Sequence, residues 1–368
     1  MIQTAAFQRF VRVSAILLFA IFAPFSGVSA SSEEGKFDAG KTILHHVQDA
    51  HEIHIAGDFA IPLPVIIIDG GIKVFSSGSF YHNPKKADLK NSPEEETYYE
   101  HEGYVLLHEK IYKLNGSELE LDEHGHPHNA EAVTDISITK NVTGLLVIVI
   151  LMFWLFSKIA KAYKANNNGA PSGAQSFFEP LIIFLRDEVA KPSIGHHYER
   201  FMPFLLTLFF FILFNNLLGL IPFLGGINVT GNIAVTLVLA LITFIITTIN
   251  ANKNYWMHIV APPGVPLWLL PIMIPIEILG VFSKPFVLML RLFANVTAGH
   301  IIILAFVGLI FIFNDKYGAA GGFGVSIVST AFAIFMNCLE LLVAFLQAYV
   351  FTLLAALYFG GATEEAHH

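Results

Sequence analysis

Charged residues are scarce in this chain of 368 residues. Asp, Glu, Lys and Arg make up 14% of it and hydrophobic residues 54%, whereas about 25% of an ordinary soluble chain is charged. The mean hydropathy is +0.61. This composition excludes a purely soluble protein and points to long segments buried in a bilayer.

Cysteine, a basic surplus and nucleotide-binding loops are missing as well. The one cysteine, Cys338, lies in an apolar run, which excludes an intramolecular disulfide framework and a CxxC metal site. The net charge of −8 offers no basic footprint for nucleic acid. No GxxxxGK[ST] loop is present, so the chain carries no P-loop for nucleotide chemistry. Nothing in the sequence calls for a cofactor.

The acidic residues are concentrated in one block. Residues 31–140 hold 20 Asp and Glu against 9 Lys and Arg, a balance of −11, and the remaining residues carry a balance of +3. The block follows a segment with Arg9 and Arg12, an uncharged run from Val13 to Phe25 and the triplet Val28-Ser29-Ala30. This layout is typical of a secretory signal peptide at residues 1–30, with a retained anchor helix as the alternative. We therefore expect residues 31–140 to form an exported polar domain.

A membrane domain is expected over residues 141–368. The first span is the apolar run from Val142 to Phe156, which reaches spanning length over Thr139 to Ala162. Lys158, Lys161 and Lys164 gather at its C-terminal end, which places that end in the cytoplasm. Phe177 to Val189 has apolar residues at i, i+3, i+4 and i+7 and is expected to lie in the interface as an amphipathic helix. Two further spans are predicted at Phe201–Leu220 and Ile233–Ile249.

The last two apolar segments are unusually long. Leu267 to Phe313 covers 47 residues, which would make one helix about 70 Å long. Phe323 to Phe359 is comparable. Each segment could be two spans or a single strongly tilted helix, and counting residues does not choose between them.

The exported block is expected to be a small β-rich domain, because short apolar or alternating runs are separated by Gly, Pro, Asn and charge clusters. Ten of the 16 histidines fall in it, including His51 and His54 at i, i+3 spacing and an alternating trio at 124, 126 and 128. Neutral imidazoles could bind Zn or Cu there. The alternative is a solvated surface that happens to be rich in histidine.

Ionisable side chains inside the long apolar segments are the sharpest functional signal. An Arg or Lys at the centre of a membrane helix costs about 2.5–3.5 kcal/mol on insertion scales. Arg291 lies between Leu288-Met289-Leu290 and Leu292-Phe293-Ala294, too far from either end of its segment to reach the interface. Glu277 and Asn295 share its helix face, and His300 lies on the opposite face.

A second polar stripe runs along the last apolar segment, where Asn337, Glu340 and Gln347 lie on one helix face with Ala344 between them. The amides could simply be hydrogen-bonding links between helices. Arg291 could form a structural ion pair with Glu277 or Glu340. Otherwise the polar side chains of two stripes in one membrane must contact each other or water.

These residues resemble a known family. The run from Ser283 to His300, SKPFVLMLRLFANVTAGH, is similar to the signature of subunit a of the F-type ATP synthase membrane sector, and FNNLLGLIP at 214–222 and LQAYVF at 346–351 follow that family's order. The match covers about residues 140–360. It departs at Ala294, where Gly is common, and in the exported block, for which the minimal family member has no counterpart.

The resemblance implies an all-α membrane domain of about five spans and one interfacial helix. It also implies that the last two helices form a long tilted hairpin against a rotor ring, with the C-terminus in the cytoplasm. Arg291 corresponds to the essential arginine, and Asn295 and Gln347 to the polar positions beside it. Glu277 matches an acidic position in the aqueous access path. His300 and Glu340 match a pair that many bacterial members carry in the opposite order.

The resemblance predicts a proton-conducting stator subunit, not itself an enzyme, in the cell inner membrane. Its implied partners are a rotor ring of small hairpin subunits, a peripheral stalk subunit, the rest of the ATP synthase, lipid and protons. The candidate proton-translocation residues are Glu277, Arg291, Asn295, His300, Asn337, Glu340 and Gln347. A secondary transporter with an intramembrane Arg counter-ion is the runner-up, and a simple membrane anchor is weaker because it needs no polar stripes.

Overall fold

The computed structural model shows a mostly helical protein with a β-rich region before the long apolar helices, which confirms the predicted fold class. It describes residues 40, 48–56, 59–81, 84–88, 95–116, 118–122, 125–165, 171, 173–221, 227–260 and 266–364. The chain divides into two compact units, Met1–Thr143 with Ile221–Ile227, and Gly144–Leu220 with Asn228–His368. The predicted signal peptide lies outside the described residues.

Short antiparallel strands and one helical turn, α1 (Gly78–Tyr81), build the described part of the first unit. The strands form a two-stranded sheet β1-β2, a three-stranded sheet β10-β3-β4 and a five-stranded sheet β5-β6-β7-β8-β9. In chain order they are β1 Glu52–Ala56, β2 Phe59–Pro62, β3 Pro64–Ile68, β4 Ile72–Ser76, β5 Pro84–Asp88, β6 Glu95–His101, β7 Tyr104–Leu107, β8 Lys110–Leu114, β9 Ala130–Ala132 and β10 Thr134–Asp135.

The alternation of apolar residues explains these strands. Val65 and Ile67 of β3 point into a core that also holds Phe80, Tyr104, Leu106 and Ile111. Two-residue turns connect β6 to β7 and β7 to β8, and both central residues of each turn have positive φ. That geometry is the type I′ hairpin, which matches the twist of the strands it joins. In the second turn the central residues are His108 and Glu109, neither of which is glycine.

Helices make up the described part of the second unit. They are α2 Lys140–Ala165, which begins in the first unit, α3 Ala174–Phe184, α4 Lys191–Ile194, α5 Tyr198–Gly219, α6 Ile233–Ile249, α7 Lys253–Val260 and α8 Leu270–Thr363. At the start of α2, Asp49 accepts hydrogen bonds from the Asn141 amide and the Thr139 hydroxyl, both at 2.9 Å. The carboxylate therefore caps the positive end of α2.

Three continuous helical stretches among the described residues are long and apolar enough to cross a membrane: Lys140–Lys164, Ala174–Gly219 and Leu270–Thr363. The pair α6 and α7, bent by 102°, adds a fourth if it counts as one broken span. Helix α8 is itself interrupted at Gly318, where φ is 69° and ψ is −172°. Counting its two arms separately gives five apolar segments.

The two arms of α8, residues 270–317 and 319–363, fold back on each other at Gly318. The rings of Phe306 and Phe332 stack across the hairpin with centroids 5.2 Å apart. The Glu340 carboxylate approaches the backbone at Gly299 so closely that a Cβ there would collide with it. The long apolar segments are thus two continuous helices, and a single residue with left-handed φ, a conformation that glycine adopts without penalty, forms the break.

The amphipathic segment begins earlier than predicted and is not a regular α-helix. It runs as α3, continues as a π-helix over Leu185–Ala190 and ends in α4. Its pattern still separates two faces, since Leu185 and Val189 are buried while Arg186 is exposed. The placement of this segment in the membrane interface stays a prediction.

The core of the second unit is rich in phenylalanine. Phe201 of α5 stacks on Phe359 of the second arm with ring centroids 4.7 Å apart, and Phe209 and Phe210 are fully buried beside them. Gly360 follows Phe359 and lies against the backbone carbonyl of Ser193 in α4, with no room for a side chain. The close approach of two backbones therefore fixes the end of the second arm.

We predict that Gly360→Ala destabilises the folded chain by about 1–3 kcal/mol, because the new methyl group would meet the Ser193 carbonyl and backbone cannot yield as a side chain can. Thermal unfolding of the detergent-solubilised chain measures the effect. The matched control is Gly361→Ala, since a Cβ at Gly361 has open space. Equal melting temperatures for the two variants would contradict the close contact.

Candidate functional site

The hairpin brings the two predicted polar stripes to matching levels. Arg291 precedes Phe306 by 15 residues, and Gln347 follows Phe332 by 15 residues. Because both arms rise about 1.5 Å per residue, the stacked pair of rings sets Arg291 and Gln347 at the same height along the hairpin. The sequence placed these residues on separate segments, and the break at Gly318 determines their register.

Arg291 points away from the body of the chain. Its side chain is exposed, although Leu288, Met289 and Leu292 around it are buried. Among the described residues it forms no ion pair and no hydrogen bond, so the predicted structural pairs with Glu277 or Glu340 are absent there. Asn295, one turn further along, is exposed as well. The arm thus presents a fixed positive charge and an amide on its open face.

Glu340 lies against the first arm beside His300. Its carboxylate reaches the backbone of Gly299, the neighbour of His300. One carboxylate oxygen of Glu340 is buried and accepts no hydrogen bond within the described part of the chain. The arrangement brings the acid of one arm to the level of the imidazole on the other, as the predicted pairing requires.

The amides of the second stripe differ in their environment. Asn337 donates from Nδ2 to the carbonyl oxygen of Ala333 at 3.0 Å, within its own helix. Its donor therefore does not link two helices. Gln347 is buried, and it has no hydrogen bond to the described residues. Gln347 thus places a buried amide at the level of Arg291.

A polar network that sequence reasoning did not assemble ties α5 to both arms. Asn216 of α5 donates to the carbonyl oxygen of Ala344 at 3.2 Å and accepts from the Thr230 hydroxyl at 2.6 Å. Thr230 belongs to a 3₁₀ turn, Val229–Gly231, whose Gly231 carbonyl oxygen accepts from Thr297 of the first arm at 3.4 Å. The motif residues around 214–222 and 228–230 are where these contacts arise, so they hold the register of the hairpin.

Lys284 occupies an aromatic cage that the sequence did not reveal. Its ammonium lies 5.9 Å from the ring centroid of Tyr255 in α7 and 5.5 Å from that of Tyr358 in the second arm. These distances are within the range of cation–π attraction. The same three residues line a small cleft together with Thr243 and Thr247.

The cleft continues the charged face of the first arm. Glu277, Lys284 and Arg291 are spaced by seven residues, which places them on one helix face two turns apart. The threonine and tyrosine hydroxyls add polar atoms beside this face. Three ionisable side chains therefore lie in a line along the first arm.

The histidines of residues 31–140 show no metal site in the described part of the chain, where no group of three or more His, Cys, Asp or Glu could hold a metal ion. His124 and the side chain of His54 fall outside the described set. His51 is 1% exposed and lies between two carboxylates: Nε2 is 3.0 Å from Asp135 Oδ2 and Nδ1 is 3.5 Å from Glu109 Oε2. Glu109 also accepts from the His51 backbone amide at 3.2 Å.

The electrostatics of this triad favour an imidazolium. Burial alone would lower the pKa of His51, but the hydrogen bonds and charges of Asp135 and Glu109 outweigh it and raise the pKa to about 9. Burial likewise works against ionised Asp135, yet hydrogen bonds from His51 and Ser137 hold its pKa below the usual value. The positive φ of Glu109, 61°, is a local strain that this contact offsets.

Apolar helices of spanning length, the last two joined in a hairpin that carries an exposed arginine, define a polytopic membrane protein. The chain belongs to the ATP synthase A chain family, which matches residues 142–360. Residues 42–136 match a family described only as a domain of unknown function, DUF8433.

Several relatives align with about two thirds or more of this chain. ATP synthase subunit a 2 of Chlorobaculum tepidum is 47% identical over 72% of this chain and 74% of its own length. ATP synthase subunit a 2 of Prosthecochloris aestuarii is 39% identical over 84% and 94%, and ATP synthase subunit a of Myxococcus xanthus is 43% identical over 67% and 80%. The expected family is confirmed.

The triad predicts how the first unit responds to alkali. A folded pKa of about 9 against 6.5 in the unfolded chain contributes about 3 kcal/mol, present in full below pH 6.5 and lost as pH rises through 9. Pulse proteolysis of the full-length chain in nanodiscs, at increasing urea, should give a lower urea midpoint for the first unit at pH 9.5 than at pH 7.

Two variants isolate this effect. His51→Gln should be less stable at pH 7 and nearly insensitive to pH. His108→Gln should behave like the unmodified chain, because His108 is an exposed histidine whose pairing with Glu96 at 3.2 Å is open to solvent. If His51→Gln keeps the alkaline loss of stability, another group is responsible and the triad is not its source.

Proposed function

We propose that this chain is the proton-translocating stator subunit of an F-type ATP synthase. Membership of the ATP synthase A chain family supports this role, and the relatives above carry the name ATP synthase subunit a. In this role the chain is a non-catalytic conduit in the cell inner membrane. The exported domain and the cytoplasmic C-terminus lie on opposite sides of the bilayer.

The exposed, unpaired Arg291 carries the proposal. A guanidinium on an apolar arm costs several kcal/mol if lipid surrounds it, and the described residues provide no carboxylate to neutralise it. A counter-charge must then come from another chain. The membrane-embedded carboxylates of a rotor ring of small hairpin subunits, packed against the open face of α8, supply that charge.

The chemistry of Arg291 fits proton exchange with such a ring. A ring carboxylate must be neutral while it faces lipid, and it must lose its proton where it meets the stator. A guanidinium stays charged at any working pH, and it favours the ionised form of a carboxylate beside it. Gln347 at the same level and Asn295 one turn away can hydrogen-bond the same carboxylate as it passes.

Polar groups on both sides of Arg291 provide two offset half-channels. Glu277 precedes Arg291 by 14 residues, about 21 Å along the helix, and the Lys284 cleft lies between them. His300 follows Arg291 by nine residues, about 13 Å, and points to the opposite face. With Glu340 and Asn337 it forms the half-channel open to the exported side, where an imidazole and a carboxylate relay protons.

Arg291 separates the two half-channels. Its fixed charge repels protons and blocks a direct leak, so each proton must travel around the ring on a carboxylate. A proton that crosses 100 mV releases about 2.3 kcal/mol, and the offset converts this into rotation. The nucleotide chemistry belongs to other subunits, and a peripheral stalk subunit holds the stator still.

We predict that Arg291→Ala abolishes proton-driven ATP synthesis, because without the charge the ring carboxylate has no reason to ionise at the stator. The test uses inverted membrane vesicles that contain the complete complex and measures ATP synthesis under an imposed proton gradient. Lys316→Ala is the control, since Lys316 is an exposed cation at the tip of the hairpin. Synthesis at near-normal rate in Arg291→Ala would overturn the proposal.

A second prediction concerns His300 and Glu340. If the two act as one relay, His300→Ala and Glu340→Ala should each reduce passive proton conduction through the membrane sector at least about tenfold, within the range for a lost acid–base group. The double exchange His300→Glu with Glu340→His keeps one carboxylate and one imidazole and should retain more conduction than either single variant. An exchange as damaging as the single variants would show that the residues do not form a unit.

A further inference from the structure

An uncharged apolar face lies on the three-stranded sheet of the exported domain. Residues that pair across antiparallel strands point to the same side of a sheet, and the pairs Ile66 with Val74 and Ile68 with Ile72 point away from the core. Thr134 pairs with Ile68, and Ile136 donates its amide to the Ile66 carbonyl oxygen at 2.9 Å. We name Ile66, Ile68, Ile72, Val74 and Ile136 the isoleucine face.

The exposure of this face is unusual for the domain. Ile72 is 72% exposed, Val74 64%, Ile136 54% and Ile68 44%. Among the described residues before α2, Ile61 is the one other exposed large apolar side chain. Contiguous exposed apolar side chains mark sites of interaction with protein or membrane. The face carries no charged residue, although the block around it has a balance of −11.

The face is joined directly to the first membrane helix. Strand β10 continues beyond Asp135 as an extended, hydrogen-bonded segment: Ile138 donates to the Pro64 carbonyl oxygen at 3.1 Å, and Lys140 to that of Ala50 at 2.9 Å. Lys140 is the first residue of α2 and lies four positions after Ile136. An extended chain of that length spans about 13 Å. The connection between the face and α2 is therefore short and hydrogen-bonded.

We propose that the isoleucine face docks on the outer surface of the bilayer, with its aliphatic side chains at the boundary between headgroups and acyl chains. The short, hydrogen-bonded connection to α2 holds it within reach of that boundary, which itself extends several ångström on each side of the hydrocarbon core. The lack of charge suits a zwitterionic lipid surface. A protein partner of the acidic domain would instead be expected to meet its charges.

Site-directed fluorescence on the full-length chain in phosphatidylcholine vesicles tests this. In a Cys338→Ala background, which removes the one native cysteine, an environment-sensitive probe is attached to Ile72→Cys or Val74→Cys. The control carries it at Glu120→Cys, an exposed position near the isolated bridge of Leu121 with Pro127. Lipids with a spin label high on the acyl chain should quench the first two probes about twofold more strongly than the control.

The outcomes separate the possible occupants. Stronger lipid quenching at Ile72 and Val74, lost in a chain that also carries Ile68→Asp, supports docking on the bilayer. Equal quenching of all three probes by aqueous iodide overturns it. Energy transfer between differently labelled copies, rising with protein concentration and without lipid quenching, overturns it in favour of a second copy of the chain. None of these readouts depends on proton transport, so they test the docking of the isoleucine face independently of the proposed function.

Discussion

The structure depends on one constraint: a permanent positive charge lies in the apolar first arm of a hairpin and finds no counter-charge among the described residues. The cost of such a charge in lipid exceeds that of most single interactions in a folded protein. The arm exposes Arg291 on one face and buries Leu288 and Leu292 on the other. This is why we propose a partner that carries negative charge inside the membrane.

The remaining helices keep that charge at a defined level. Stacked rings of Phe306 and Phe332 fix the register of the two arms, and the backbone contact at Gly360 anchors the second arm to α4. The hydrogen bonds of Asn216 and Thr297 through the 3₁₀ turn connect α5 to both arms. Close packing at glycine and directional hydrogen bonds from amides set the positions of these helices. Hydrophobic burial cannot do so within the membrane, because lipid is as apolar as the side chains.

Much of the fold could be predicted from the hydropathy pattern, since the spans, the β-rich block and the polar stripe of Arg291 depend on local periodicity. The sequence does not show that Gly318 forms the break between the two arms, because several glycines follow it. Only the backbone conformation shows which glycine forms it. The Lys284 cage joins residues from three elements, 29 and 74 positions from Lys284 in the sequence. The triad of His51, Glu109 and Asp135 likewise assembles only when three distant segments pack, so its histidine resembled a metal ligand instead.

A cryo-EM structure of the intact complex directly shows where the Arg291 side chain points. The account predicts that the Arg291 guanidinium faces a ring of hairpin subunits, within about 4–6 Å of a ring carboxylate, the range in which opposite charges favour ionisation. It also predicts Gln347 at the same height. An Arg291 that is paired with Glu277 or Glu340 of its own chain and turned away from the ring would contradict it.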